Sequence, residues 1–478
     1  MKRHVVKLRS HSKTIALRAR QCAHAKDFGA QLPARRRRQR SARIRLFSLV
    51  LLACFARSAS AVTLENVLRT TLEKNPAIQE AKAGLEQAAG QRLVFRSVAL
   101  PSVSLGVPAG LQYGHRSGET GVKGFAVGRG SLDQVLFSMA VPPSLRRGDI
   151  EMLIAQQQLN VTVVEQLHVA RLAFYAALFN RSLESVREEQ RQKLEENVAS
   201  QKDRYQAGLA NRSAFTSATI QSSEILPQIE GAHRAYQGAQ LRLAQAMGID
   251  PAKSSLPEPE GELQFVPRQL DLDSQTTVAL ETRGDLKLAR LFVRAANEDE
   301  RIIAADYYPS VGGNIHGEYV PVTGIHRQGS TSKTQDFIGS EIVERAAYTW
   351  RVVDNGKVGG AVLRARAARE VNELACRKLE ENIRRELSHI ANDLKAIEVR
   401  EISLAAASES AEESARTVRE NVANGLVSPL EYRVTQNAFL TTRSGLLDAI
   451  YQHNVAAAEW DRATGRYFQF SYNANIPR

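Results

Sequence analysis

Between Gly148 and Gly208 the chain runs for 59 residues without a Gly or a Pro, and between Gly360 and Gly425 it runs for 64. Helix-favouring residues fill both stretches, so each reads as one continuous helix of roughly 90 to 100 Å at ~1.5 Å per residue. No compact globular domain contains such a rod. A rod needs a partner along its length, and the second stretch carries the pattern for one. Ile383, Ile390, Ile397, Leu404, Ala411 and Val418 fall seven apart, with Leu387 and Leu394 at the companion position. That heptad spacing predicts coiled-coil packing.

The two rods belong to a duplicated unit. At an offset of 208, Leu72 falls on Leu280, Glu73 on Glu281, Ile78 on Leu286, Ala88 on Ala296, Pro101-Ser102-Val103 on Pro309-Ser310-Val311, and Gly148 on Gly356. At an offset of 217, Gly208-Leu209 falls on Gly425-Leu426, Phe215 on Tyr432 and Gly248 on Gly465. Two copies of one unit follow. In the first copy, residues 64–99 read as a helix and are followed by a Gly-, Ser- and Val-rich segment from 101 to about 145. Its counterpart runs from 309 to 353. Apolar residues alternate there, as at Val103, Leu105 and Val107, and at Tyr348, Trp350 and Val352. Each segment has room for two strands of about ten residues, joined by Gly-rich loops at 114–130 and 324–339. Each rod then breaks at a Gly-Leu pair and returns through a shorter helix that ends at Gly248 or Gly465. The opening and returning helices together match the rod, so end-to-end stacking along it is expected. Pro227 is expected to kink its helix, and the Pro- and acid-rich residues 250–273 to link the copies.

Charge separates the leader from the rest. The whole chain has 64 basic and 51 acidic residues, but residues 1–61 hold 16 of the Lys and Arg and only Asp27 among the acids, leaving a net of −2 elsewhere. Net charge beyond the leader therefore gives no reason to expect nucleic acid or acidic lipid as a partner. Arg35 to Arg45, the apolar run 46–56 and Ala59-Ser60-Ala61 follow the order of a secretory signal peptide cut after Ala61. Leu51-Leu52-Ala53-Cys54 is the alternative, a lipobox that would leave Cys54 lipidated. The organisation is thus 1–61 signal peptide, 62–265 first repeat, and 266–478 second repeat with a C-terminal tail. After the cut at Ala61 only Cys376 remains, which excludes a disulfide framework. No apolar run is long enough for a membrane helix, so a membrane role would have to use strands.

Nothing in the sequence carries chemistry. There is no G-x-S-x-G, H-E-x-x-H or C-x-x-C, and Asn355-Gly356-Lys357-Val358 lacks the hydroxyl of a nucleotide-binding loop. His168 and His389 are expected on partly exposed helix faces. An enzyme, a metal and a cofactor are not expected.

The repeated order of helix, hairpin, rod, Gly-Leu break and returning helix resembles the TolC-type outer membrane efflux protein family. Leu72-Glu73-Lys74-Asn75-Pro76, Arg283-Gly284-Asp285-Leu286, the Pro-Ser-Val entries at Pro101 and Pro309, Arg204-Tyr205-Gln206-Ala207-Gly208-Leu209 and Asn424-Gly425-Leu426 carry the likeness across residues 62–465. It implies a mixed α/β membrane protein, with a long coiled-coil α-helical barrel and a transmembrane β-barrel of 12 strands, four from each chain of a homotrimer. It further implies a passive exit duct for drug efflux or type I protein secretion in the cell outer membrane, extending into the periplasm and partnered by a periplasmic adaptor and an inner membrane transporter. The adaptor-docking tips would be Gly208, Leu209 and Ala210 with Gly425, Leu426 and Val427, and the periplasmic gate would be Glu431. The family acid about six residues past each Gly-Leu turn is Ala214 in the first copy, and the second gate acid is Val434. A periplasmic coiled-coil scaffold is the rival reading. Mass spectrometry of the exported chain should return Val62 as its first residue; a diacylated Cys54 would replace that reading.

Overall fold

The structure is a computed structural model that describes residues 61–116, 119–319, 340–424 and 426–466. The leader with Cys54, the expected loop at 324–339, Gly425 and the tail beyond 466 lie outside the described residues.

The described chain opens with a short strand β1 (Ala61–Val62) and then α1 (Leu64–Lys74) and α2 (Pro76–Ser97). The expected single helix over 64–99 is in fact two, because Asn75 is extended and its side chain accepts from the Ala77 N–H at 2.9 Å, capping α2. Pro76 occupies a first-turn position where a missing N–H costs nothing. Four strands follow: β2 (Ser102–Gly106), β3 (Ala109–Arg116), β4 (Glu119–Ala126) and β5 (Gly128–Phe137). The expected Gly-rich loop at 114–130 is mostly strand, with β3 and β4 paired from Ala109 opposite Ala126 to Arg116 opposite Glu119. Gly and Ser are tolerated there because a two-stranded ribbon asks little of its side chains beyond alternation.

The first rod is α3 (Val141–Gln206), followed by α4 (Arg212–Glu224) and α5 (Leu226–Ala246). Pro227 does not kink one helix; it sits in the first turn of α5, where the chain breaks between two helices. A strand β6 (Glu258–Pro259), helices α6 (Leu272–Thr282) and α7 (Gly284–Ala304), strands β7 (Ser310–Tyr319) and β8 (Ser340–Thr349), the second rod α8 (Lys357–Ala423) and α9 (Pro429–Ala463) complete the order. The rods have 66 and 67 residues, roughly 100 Å each.

The rods acquire their partners by stacking. The end of α5 abuts the α1–α2 junction, where Asn75 Nδ2 donates to Ala246 O at 2.9 Å and to Gln166 Oε1 on α3 at 3.1 Å. The end of α9 abuts the α6–α7 junction in the same manner. There Arg283 pairs with Asp285 at 2.7 Å and with Glu386 on α8 at 2.6 Å, and it donates to Ala463 O at 3.3 Å. Gly248 and Gly465 permit these close abutments. Both are left-handed, at φ +69° and +71°, and a Cβ would lie 2.5 Å from Lys74 O at the first and 2.6 Å from Thr282 Oγ1 at the second.

At mid-height the 250–271 segment wraps the rods. β1 pairs with β6, Arg181 donates to Pro259 O at 2.6 Å, and Asp461 receives both Arg268 at 2.7 Å and Arg171 at 3.0 Å. Two apolar cores lie at this level. One joins Phe174, Ala177 and Leu178 of α3 to Leu243 and Ala246 of α5. The other joins Ile383, Leu387, Ile390 and Leu394 of α8 to Ala456, Ala457 and Trp460 of α9. The heptad seam thus meets α9 as expected. Below Leu394 the companion positions become Glu401 and Ser408, both buried, and burial pushes the Glu401 carboxyl up. Nearer the tip, Val186, Ala415, Phe439 and Leu440 restore an apolar cluster. His168 departs from expectation: it is buried, and burial together with Arg462 and Arg171 lowers its pKa to about 4. His389 is exposed, as expected.

Gly248→Ala should cost about 2 to 4 kcal/mol, through backbone strain and collision with Lys74, measured as a lower helix-melting midpoint in detergent. Gly84→Ala on α2, where nothing lies within 4 Å, should leave that midpoint unchanged or raise it.

Candidate functional site

Two regions of the fold have features that packing does not account for. The first is the antiparallel sheet ordered β2-β5-β7-β8. Its register places Val103 opposite Leu132, Leu132 opposite Ile315, Val311 opposite Tyr348 and Gly317 opposite Ile342, so these apolar groups share one face, on which Glu344, opposite Ile315, is a charged exception. They are not covered: Leu105 is 86% exposed and Ile342 77%. The other face is polar. Ser104 bonds Ser131 at 2.8 Å, Asn314 donates to Asp133 at 2.6 Å, and Arg129 reaches Glu318 at 3.3 Å. A sheet polar on one side and largely apolar on the other, with no core against the apolar side among the described residues, has the two-faced character that the wall of a lipid-embedded barrel requires. Within the described residues the apolar face runs from Tyr348 at the helix end to Tyr319, and both rings are exposed. The strand between those levels gives ~20 Å of height at a ~40° tilt, close to the apolar band of such barrels. Among the described residues β2 and β8 each pair on one side only, which leaves two edges open there.

The second region is the far end of the rods. Helix α3 ends in a Schellman turn, with Leu209 N donating to Arg204 O at 2.8 Å, Gly208 N to Tyr205 O at 3.0 Å, and Gly208 at φ +74°. Asn211 then caps α4 by accepting from Ala214 N at 2.8 Å. At the end of α8, Leu426 N donates to Asn421 O at 2.8 Å, and Ser428 accepts from Glu431 N at 3.3 Å to start α9. Because the turn bonds hold the backbone, the Leu side chains are left outside, and Leu209 is 73% and Leu426 75% exposed. Ala210 and Val427 are half-buried. Glu431 is exposed in the first turn of α9, in a Ser-x-x-Glu arrangement that also suits an ordinary helix start.

The two turns lie beside each other. A cavity of about 370 Å³ opens between α3, α4 and α9, lined by Gln201, Ala214, Ser428, Leu430, Tyr432 and Gln436 among others. Tyr205 stacks on Phe215 with ring centroids 6.1 Å apart. Sequence reasoning passed over these lining groups, although the coincidence of Phe215 with Tyr432 marked the level. Among the described residues no group of His, Cys, Asp or Glu could hold a metal ion.

Residues 67–249 match the model of the outer membrane efflux protein family, so that part of the chain is similar to the family. No curated protein matches the chain by sequence. Solved structures match by fold. A membrane protein from Pseudomonas aeruginosa superposes with a TM-score of 0.72 at 16% identity, over 84% of this chain and 92% of that one. The outer membrane protein VceC of Vibrio cholerae gives 0.71 at 16% identity, over 84% of this chain and 96% of its own. The Campylobacter jejuni CmeC outer membrane channel gives 0.70 at 14% identity, over 84% and 85%. The chain thus shares the fold of these outer membrane proteins, and its first half resembles outer membrane efflux proteins in sequence.

Proposed function

We propose that three copies of the chain assemble into one outer membrane exit duct, passing small molecules or protein delivered by an inner membrane transporter through a periplasmic adaptor. The observation that carries this reading is the two-faced sheet with two open edges. In lipid an unpaired strand edge has no water to satisfy it, so four strands are stable only as part of a closed ring. The helices agree with the sheet. Near the membrane α2 packs on α3, α3 on α7 and α7 on α8, which repeats the order β2-β5-β7-β8. Both layers thus end at the same two sides, and joining β8 of one copy to β2 of the next would close 12 strands in a trimer. The periplasmic scaffold reading leaves the exposed apolar face in water without a purpose.

On this reading the mature chain is two repeats, 62–265 and 266–478. The Gly208-Leu209-Ala210 and Gly425-Leu426-Val427 turns are the periplasmic tips that meet the adaptor, through exposed Leu209 and Leu426. Glu431, beside the second turn, would form a ring of three carboxylates at the tunnel mouth that attracts cations.

The chain should extract only with detergent, cross-link as a trimer and form conducting pores in planar bilayers; a water-soluble monomer would return the scaffold to favour. Leu209→Asp with Leu426→Asp should abolish export while the trimer persists, and undiminished export would remove the tips from the docking role. Glu431→Gln should weaken block by divalent cations and lower cation selectivity in single-channel records, whereas parental values would leave Glu431 as a helix-start acid alone.

A further inference from the structure

Resting on the trimeric assembly, we propose that each seam between copies holds an anionic phospholipid of the periplasmic leaflet, in a site that neither copy completes alone. On one side of the chain, Arg96 lies in the last turn of α2, just before β2, and is exposed. On the opposite side Arg351 follows β8, Lys357 opens α8, and Arg364 and Arg366 come about two turns further; all four are exposed. None of these five cations has an ion pair among the described residues, although the helices around them are laced with pairs. Arg92 is held by Asp149, Arg147 by Glu151 and Asp299, and Arg369 by Glu300 and Glu373. Asp354 is within Coulombic reach of Arg351 but forms no ion pair with it; its carboxylate accepts from backbone instead, from Val358 N at 2.6 Å and Gly356 N at 3.1 Å.

The same two sides carry uncovered apolar groups at the same height. Val352 and Val353 are 72% and 79% exposed, next to Trp350, whose Nε1 donates to Tyr307 O at 3.2 Å and holds the loop at the foot of the sheet. Leu100 and Val98 are exposed on the α2 side. Within one copy the cations of the two sides are separated by the width of the sheet. When β8 of one copy meets β2 of the next, Arg96 comes beside Arg351 and Lys357. Like charges brought together at a seam repel unless an anion sits between them. The chemistry fits one ligand, a phosphate headgroup among the cations with acyl chains running up the valines and Leu100 toward the apolar face. Each Lys or Arg near an anionic membrane surface contributes about 1 kcal/mol to such an attraction.

The test uses the purified full-length protein, cross-linked to establish its oligomeric state, then equilibrated with phosphatidylglycerol or phosphatidylcholine and read by native mass spectrometry. The expected result is retention of phosphatidylglycerol over phosphatidylcholine by the trimer, resistant to competing inorganic phosphate. Arg96→Gln with Arg351→Gln should weaken retention about thirtyfold, while changing Arg204, which is exposed at the far end of α3, to Gln leaves it unaltered. A trimer without that preference, or with equal retention by the double variant, overturns the lipid site; displacement by inorganic phosphate reduces it to a simple anion site and overturns it as well. A monomer on cross-linking overturns the assembly reading instead, so the two failures are distinguishable.

Discussion

The fold depends on giving two helices of about 100 Å a continuous partner. An isolated amphipathic rod of that length leaves an apolar stripe in water, and no single returning helix in the first half is long enough to cover it. The solution is a butt joint, in which the returning helix of each half ends against the kinked pair that opened it. The first joint sets Gly248 against the backbone of Lys74 and the second sets Gly465 against the Thr282 side chain, so a Cβ at either point collides, and both glycines are required twice over, for their left-handed φ and for their missing Cβ. The partners that lock the joints differ between halves. Asn75 bridges with neutral hydrogen bonds, whereas buried Arg283 does so with charge, against Asp285 and Glu386. Removing Arg283 would leave Asp285 without its cation and Glu386 with Arg462 alone, so the second joint is the more exposed to a single change.

Much of this was legible in the sequence because the signals were long or duplicated. A Gly- and Pro-free stretch can hardly be anything but a helix, and two registers of self-similarity located the breaks. The heptad in α8 named its own buried residues: Ile383, Leu387, Ile390 and Leu394 all lie in the core with α9. What stayed hidden was decided by contacts between distant segments. Asn75 could be read as a helix residue until its side chain was seen capping one helix and holding another. His168 sits on a helix face that becomes interior only when α3 meets its neighbours. The glycines at 114–130 resemble loop residues one at a time, and it is the cross-strand register that makes them a ribbon.

The functional regions divide along the same line. The sheet's two faces could be inferred weakly from alternation at Val103, Leu105 and Val107, but their meaning required the partner strands, because Gly130, Gly313 and Gly317 interrupt the pattern along any single strand. The tips were found from the Gly-Leu pairs alone, since a Schellman turn leaves a clear mark in sequence. The cavity beside them was not, because its lining joins α3 and α4 to α9, which lies more than two hundred positions further along the chain.

The polar interruption in the α8–α9 seam has a mechanical consequence. Apolar packing holds the two helices at mid-height and again near the tip, and between these clusters lie Glu401, Ser408 and, where the helices face one another at Leu404, Gly445. Packed leucines resist sliding and bending because each displacement opens a void; a carboxyl, a hydroxyl and a missing side chain open far less. The rod pair is accordingly a stiff beam with one compliant section, and a load applied at the tips would be absorbed there, leaving the butt joint and the sheet undisturbed.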